Sequence, residues 1–215
     1  MVMAEISKLL KKEDEKEFLN QAQMVKKAYN QTLLIKENGR AYYRSYDNGE
    51  ITQANQALPL CFGMVPKECV KSVQAELLAL CTDSHLKCGE IGLVYILRAL
   101  SEMNQHEKIH EMIMKKDHPS YLRFINNNET TLPEFWRDDA RSRNHDMMGH
   151  IMEWFFTEVA GIKSDNGFCT VQIVPKCQNF IDEFECEFDS IRGKIFVKYN
   201  SGKLTVKTAN NISVC

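Results

Sequence analysis

The apolar rhythm of this chain changes once, at Gly161, and that change constrains the fold more than any single motif. Before it, apolar side chains recur every three to four residues, the period that places them on one face of a helix. Phe18, Ala22, Val25 and Tyr29 predict an amphipathic helix over about 13–35. Gly39 and the Asp47-Asn48-Gly49 turn interrupt it. Thr52 is placed to cap a second helix carrying Ala54, Ala57 and Leu58, and Pro66 opens a third that runs through Val70, Val73, Leu77 and Leu80. Gly89 and Gly92 mark a tight entry to a fourth, with Ile91, Val94, Leu97 and Leu100 on its apolar face. A shorter helix spans roughly His106 to Lys115, and the last begins near His145 with Met148, Ile151, Trp154 and Phe155 on one side. Short helices joined by alternately short and long loops fit helix pairs packed antiparallel.

After Gly161 the period falls to two, the strand signal. Residues 171–174, 194–199 and 203–208 alternate, separated by Arg192-Gly193 and Asn200-Ser201-Gly202. The expectation is a mainly α chain, helical over 1–162 and followed by a small antiparallel β unit over 168–215. No segment repeats at a fixed period, which disfavours a solenoid.

Composition narrows the function classes. An apolar fraction of 44% and a charged fraction of 26% are ordinary for a globular protein. A net charge of −2 gives no electrostatic case for nucleic acid or an anionic membrane. The run Lys11-Lys12-Glu13-Asp14-Glu15-Lys16-Glu17 interleaves its signs and reads as a solvated helix face. The eight cysteines never form a CxxC pair, so a structural zinc is not expected and free thiols are. The first residues lead into a charged stretch with no apolar core, and no run approaches membrane-spanning length, so the expected location is cytoplasmic.

Two stretches carry chemistry. Glu134 sits beside Pro133 and before Phe135 and Trp136; then Ser142-Arg143-Asn144-His145 leads into Asp146-Met147-Met148-Gly149-His150. A carboxylate, aromatic side chains and a histidine suit a sugar-binding hydrolytic site better than a packing element. Each residue also has a plainer meaning. Glu134 can be a helix N-terminal carboxylate favoured by the macrodipole, and His145 a capping or core histidine. Trp136 and Trp154 can both stack on a pyranose, but Trp154 lies on the apolar stripe and is assigned to the core, as His150 is to a structural role. Asp138, Asp139 and Glu129 read as a solvated loop, and Arg98 as a partner for Glu102 at i+4. His106 and His110 lie four apart on a charged helix with no third ligand, so neither metal nor cofactor is expected.

These motifs, in their order, resemble one family. Thr52-Gln53 with Leu58 to Pro66, His85-Leu86 with Gly89-Glu90-Ile91-Gly92, Leu97 to Glu102, His118-Pro119-Ser120-Tyr121, Thr130 to Trp136, Ser142 to His145, and Glu153-Trp154-Phe155 are similar to motifs of bacterial α-L-rhamnosidases. The resemblance extends through Ala160-Gly161-Ile162 into Asp189 to Ile195 and covers essentially the whole chain. Asn128 departs from it, standing where the family commonly has glycine, although Asn tolerates a left-handed backbone.

The resemblance implies an inverting glycoside hydrolase acting on terminal α-L-rhamnosyl groups. Its implied fold is the C-terminal half of an (α/α)6 barrel of helical hairpins, followed by a truncated C-terminal β domain. Glu134 matches the general base, and His145 the pocket histidine that hydrogen-bonds sugar hydroxyls. Trp136 is expected to border the pocket, with Glu90 at its mouth. Inversion needs two carboxyl groups with a water between base and sugar. The family's acid lies in the first barrel half, before the region matched here. The chain alone is therefore expected to be inactive, completed by an N-terminal partner chain or by self-association. The alternative is a non-catalytic helical remnant that binds carbohydrate or protein.

Overall fold

The computed structural model describes residues 1–215, which fall into two units, Met1–Leu80 and Cys81–Cys215. In the first unit, α1 (Val2–Leu9) precedes the long α2 (Glu15–Leu33) and packs against it. The predicted apolar face of α2 is rotated by one position: Phe18, Ala22 and Tyr29 are half-buried, but Val25 is exposed. Lys26 and Asn30 take the inner face instead. Lys26 donates to the Gly63 carbonyl at 2.6 Å, and Asn30 donates to the Met64 carbonyl at 2.9 Å while accepting from the Tyr43 hydroxyl at 2.5 Å. Those partners lie 13 to 37 positions away along the chain, and Val25 is left on the outer face.

The interruption at Gly39 is a hairpin. Strands β1 (Leu34–Glu37) and β2 (Arg40–Tyr43) pair antiparallel around Asn38-Gly39, whose φ values of +50° and +74° fit a two-residue turn that matches strand twist. The outer edge of β2 is closed by side chains rather than by another strand. Ser72 Oγ accepts from the Ala41 amide at 2.7 Å, and Gln56 both accepts from the Tyr43 amide (2.8 Å) and donates to its carbonyl (2.7 Å). Those side chains lie on α3 (Gln53–Cys61) and α4 (Val70–Leu80), with a 3₁₀ turn at Lys67–Cys69 leading into α4. Thr52 caps α3 as expected, accepting from the Asn55 amide at 3.2 Å. Buried Ala41, Tyr43, Val65, Cys69 and Val73 form the core of this unit.

In the second unit, α5 (Glu90–Glu102) packs against α6 (His106–Ile113), so consecutive helices pair as the loop rhythm predicts. Leu93, Ile96, Leu97 and Leu100 are buried along α5, while Ile91, expected inside, is 71% exposed. A short helix that periodicity did not signal, α7 (Tyr121–Asn126), follows. The helix expected from His145 is not continuous: a 3₁₀ turn Asp146–His150, one α turn α8 (Ile151–Trp154) and a π-helical turn Phe155–Val159 follow one another.

Gly161, at φ +73°, then turns the chain into β3 (Ile162–Lys163). Strand β4 (Thr170–Ile173) pairs antiparallel with β3 and parallel with β8 (Ser213–Val214), so this sheet is not wholly antiparallel as expected. The second sheet is an antiparallel meander of β5 (Glu183–Ser190), β6 (Gly193–Asn200) and β7 (Lys203–Thr208). Ala160, Ile162, Val171, Ile195, Val197 and Ile212 form the buried cluster beneath both sheets. No helix is long and apolar enough to cross a membrane. The eight cysteines are free thiols.

Candidate functional site

The chain between α7 and the 3₁₀ turn at Asp146 builds the site. Helix α7 ends in a left-handed residue, Asn128 at φ +60°, and the Glu129 amide closes the end on the Phe124 carbonyl at 3.0 Å. Here Asn supplies the conformation that glycine would. The segment then folds back on itself. The Glu134 amide donates to the Ser142 carbonyl at 3.0 Å, and the His145 amide to the Leu132 carbonyl at 2.7 Å. Thr131 Oγ1 adds a third link, donating to the Arg143 carbonyl. Glu134 and His145, eleven positions apart in sequence, thus lie on facing limbs of one clamped loop.

Trp136 pins the tip of that loop. Its indole N–H donates to the Cys88 carbonyl at 2.5 Å; its ring stacks on Phe124 at 5.5 Å and 6°, and meets Tyr121 edge-on at 5.1 Å. One indole face is therefore committed to α7. Burial pushes the neighbouring Cys88 thiol up to about 11, which makes it a poor nucleophile.

Asp138, expected as a solvated loop acid, is the loop's polar hub. Arg123 Nη2 donates to it at 2.5 Å, His118 Nε2 approaches at 2.9 Å and Asn127 Nδ2 at 2.5 Å. The Arg123 guanidinium in particular holds its carboxyl at about 2, below the usual carboxylate range. A group held ionised in this way is unsuited to act as a general acid. Glu129 is likewise taken up by Arg143, whose other nitrogen donates to the Asp138 carbonyl at 2.6 Å, and Asp139 pairs with Arg137 at 3.1 Å.

Glu134 remains the least committed carboxylate of the loop. Its side chain is 20% exposed, and Arg141 stands 3.7 Å away. His145 Nε2 lies 2.8 Å from Glu90 Oε2, at the first residue of α5. The candidate side chains Glu134, His145, Trp136 and Glu90 all belong to one unit.

The model of the family described as bacterial alpha-L-rhamnosidase 6 hairpin glycosidase domain matches residues 1–159. The chain belongs to that family. It is 28% identical over 164 residues to an alpha-L-rhamnosidase of Alteromonas sp. (strain LOR), covering 70% of this chain and 18% of that protein. It is 24% identical over 188 residues to an alpha-L-rhamnosidase of Streptomyces avermitilis, covering 81% of this chain and again 18% of the relative. Among solved structures, the α-L-rhamnosidase from Dictyoglumus thermophilum superposes with a TM-score of 0.84 at 24% identity, over 99% of this chain and 25% of that one. The S. avermitilis enzyme complexed with L-rhamnose superposes at 0.83 and 22%, over 98% and 21%. The chain thus spans between a fifth and a quarter of the solved relatives' length and somewhat less of the curated ones.

In this rhamnosidase-family chain the candidate residues border an open surface rather than a closed cavity. Glu90 and His145 side chains are 28% and 27% exposed. A cleft of about 430 Å³ lies elsewhere, lined by Arg98, Glu102, His150, Glu153 and Lys176 among others, and by none of the four candidates. Trp154 is buried at its inner wall, where its indole N–H faces His106 Nδ1 at 3.4 Å, in keeping with the core role expected of it. Arg98, expected as a partner for Glu102, forms a two-point bridge to Glu153. Sequence reasoning missed the clamps Arg123, Asp138 and Arg143, and no local spacing signals them, because each partner lies several residues away around an irregular loop.

Proposed function

We propose that this chain supplies the base side of an α-L-rhamnosidase site, acting on terminal α-L-rhamnosyl groups with inversion. Glu134 is the general base that activates water, His145 and Glu90 meet sugar hydroxyls, and Trp136 borders the pocket. The observation that carries this reading is the clamped loop, whose two backbone rungs hold Glu134 and His145 on facing limbs. Its partly exposed, weakly paired carboxylate suits a base that must stay ionised and reach water.

On this reading residues 1–162 form part of a six-hairpin barrel and residues 168–215 part of a β domain. The general acid belongs to the portion of the relatives' length that this chain does not span, supplied by a partner chain or by further residues of the same protein. One carboxylate cannot serve as both acid and base in an inverting pair. The substrate is a rhamnosylated carbohydrate or glycoside, and no cofactor is needed.

The test uses the 215-residue chain with L-rhamnose and an aryl α-L-rhamnoside. Weak L-rhamnose binding without turnover is expected, with binding reduced at least tenfold in H145A. Turnover by the chain alone, lost in E134Q, would overturn the assignment of the acid to another segment. No binding by wild-type chain would overturn the site itself and favour a non-catalytic helical remnant.

A further inference from the structure

Glu90 Oε2 is a buried carboxylate oxygen that accepts no aligned hydrogen bond, yet it lies 2.8 Å from His145 Nε2. The distance is that of a bond; the ring N–H is not aimed along it. Both residues are fixed from behind. Glu90 opens α5, where the Leu93 amide closes the first turn on the Gly89 carbonyl at 3.2 Å, and the His145 amide is held on the Leu132 carbonyl at 2.7 Å. Two acceptors do not settle 2.8 Å apart, so beside a carboxylate that only accepts, the ring nitrogen facing it is the one that carries the proton. A neutral imidazole has one donor and one acceptor nitrogen, and the remaining nitrogen, Nδ1, is then the acceptor.

We infer that Glu90 is a positioning residue for His145: its carboxylate holds the Nε2 proton and leaves Nδ1 to accept from a ligand hydroxyl. The ligand clause rests on the proposed rhamnosidase site; the Glu90–His145 relationship does not. Contacts of this kind are often poorly aligned in a free site and tighten when ligand binds. The inference gives His145 a polarity toward sugar, acceptor rather than donor, which the residue type alone leaves open.

The experiment labels the histidine side chains of the full chain with ¹⁵N and observes them at pH ~8.5, above the usual imidazole range. His145 is assigned from the signal lost in H145Q. In wild type it should be a single Nε2–H tautomer with a water-protected proton. In E90A that proton should exchange about tenfold faster or more, with the buried His106 signal unchanged. E90Q, which keeps an acceptor oxygen, should restore most of the protection. On adding L-rhamnose the Nδ1 resonance should move while the Nε2–H stays. An Nδ1–H tautomer in wild type overturns the proposal without any variant, as does an unchanged Nε2 proton in E90A. If L-rhamnose moves neither resonance, the sugar-site reading fails, while the ligand-free spectra still decide the role of Glu90.

Discussion

Arg98 on α5 and Glu153 on α8 are joined at two points, Nε to Oε1 and Nη2 to Oε2, each at 2.7 Å. The parallel fork is the geometry in which guanidinium and carboxylate complement each other best. It ties together two helices that flank the cleft, across fifty-five positions of sequence. The side chains are 49% and 40% exposed, so solvent screening takes back much of the Coulomb gain. A double-mutant cycle of R98A and E153A, read by denaturant unfolding, should give a coupling of about 0.5–1 kcal/mol. Strictly additive losses would mean the fork contributes nothing.

Asp138 gives the site loop a pH dependence in acid. Its folded value, about 2, is below its ordinary 3.8, chiefly because of Arg123. A depressed carboxyl stabilises the fold above its unfolded value, and that support is withdrawn as pH falls from about 4 toward 2. Trp136, whose loop Asp138 clamps, should report the change by fluorescence, with W136F as the control for Trp154. D138N should have the altered signal already at neutral pH and lack the acid transition.

His106 should add a second requirement of the same sign, nearer neutral pH, through its buried surroundings. Burial lowers its value below 6.5, and its Nδ1 accepts from the Trp154 indole N–H at 3.4 Å. Protonating Nδ1 would set two donors against each other. A base with a depressed folded value is most stabilising above its unfolded value, so this contribution is complete above about 6.5 and is lost as pH falls through the folded value. Chemical denaturation at a series of pH values should show stability declining on the acid side of that point. H106Q should flatten the slope.

Gly161 should tolerate no side chain. Its φ is +73°, and a Cβ would stand 2.2 Å from the Val174 carbonyl carbon and 2.4 Å from the Pro175 nitrogen. Both obstacles are backbone, pinned by the Val174 amide donating to the Gly161 carbonyl at 3.0 Å. G161A should cost about 3 kcal/mol or more through strain plus overlap. G202A, also at positive φ but with open space around it, should cost about 1 kcal/mol. Equal thermal shifts for the two variants would contradict the close approach at Gly161.

Much of the architecture was legible because its signals are local. The Thr52 cap, the helices over 70–80, 90–102 and 106–113, and the strands around 171, 195 and 205 follow from spacings within a few residues. Other elements gave equally local signals that pointed elsewhere. Asn38-Gly39 carries a hairpin turn, but the flanking segments are only four residues each and read as a break between helices. Strand β5 alternates Glu183-Phe184-Glu185-Cys186-Glu187-Phe188, with every second position acidic, and passes for a polar linker. On α2 the one-position rotation followed from Asn30, whose amide serves Met64 and Tyr43 rather than water.

The candidate site divides along the same line. The sequence by itself determined that a carboxylate, an indole and an imidazole stand close together in the chain around a proline, and that the apolar period switches at Gly161. Both are properties of neighbouring residues, set by backbone sterics and by which face must leave water. Only the tertiary structure decided that Asp138 is bound up by Arg123, that one face of Trp136 is spent on Phe124, and that the ring of His145 turns toward Glu90. Ring–ring contacts fade within a few ångströms, and exposed charges are screened over about 10 Å, so both depend on distance in space. No spacing along the chain encodes which distant partner an irregular loop will bring within that range.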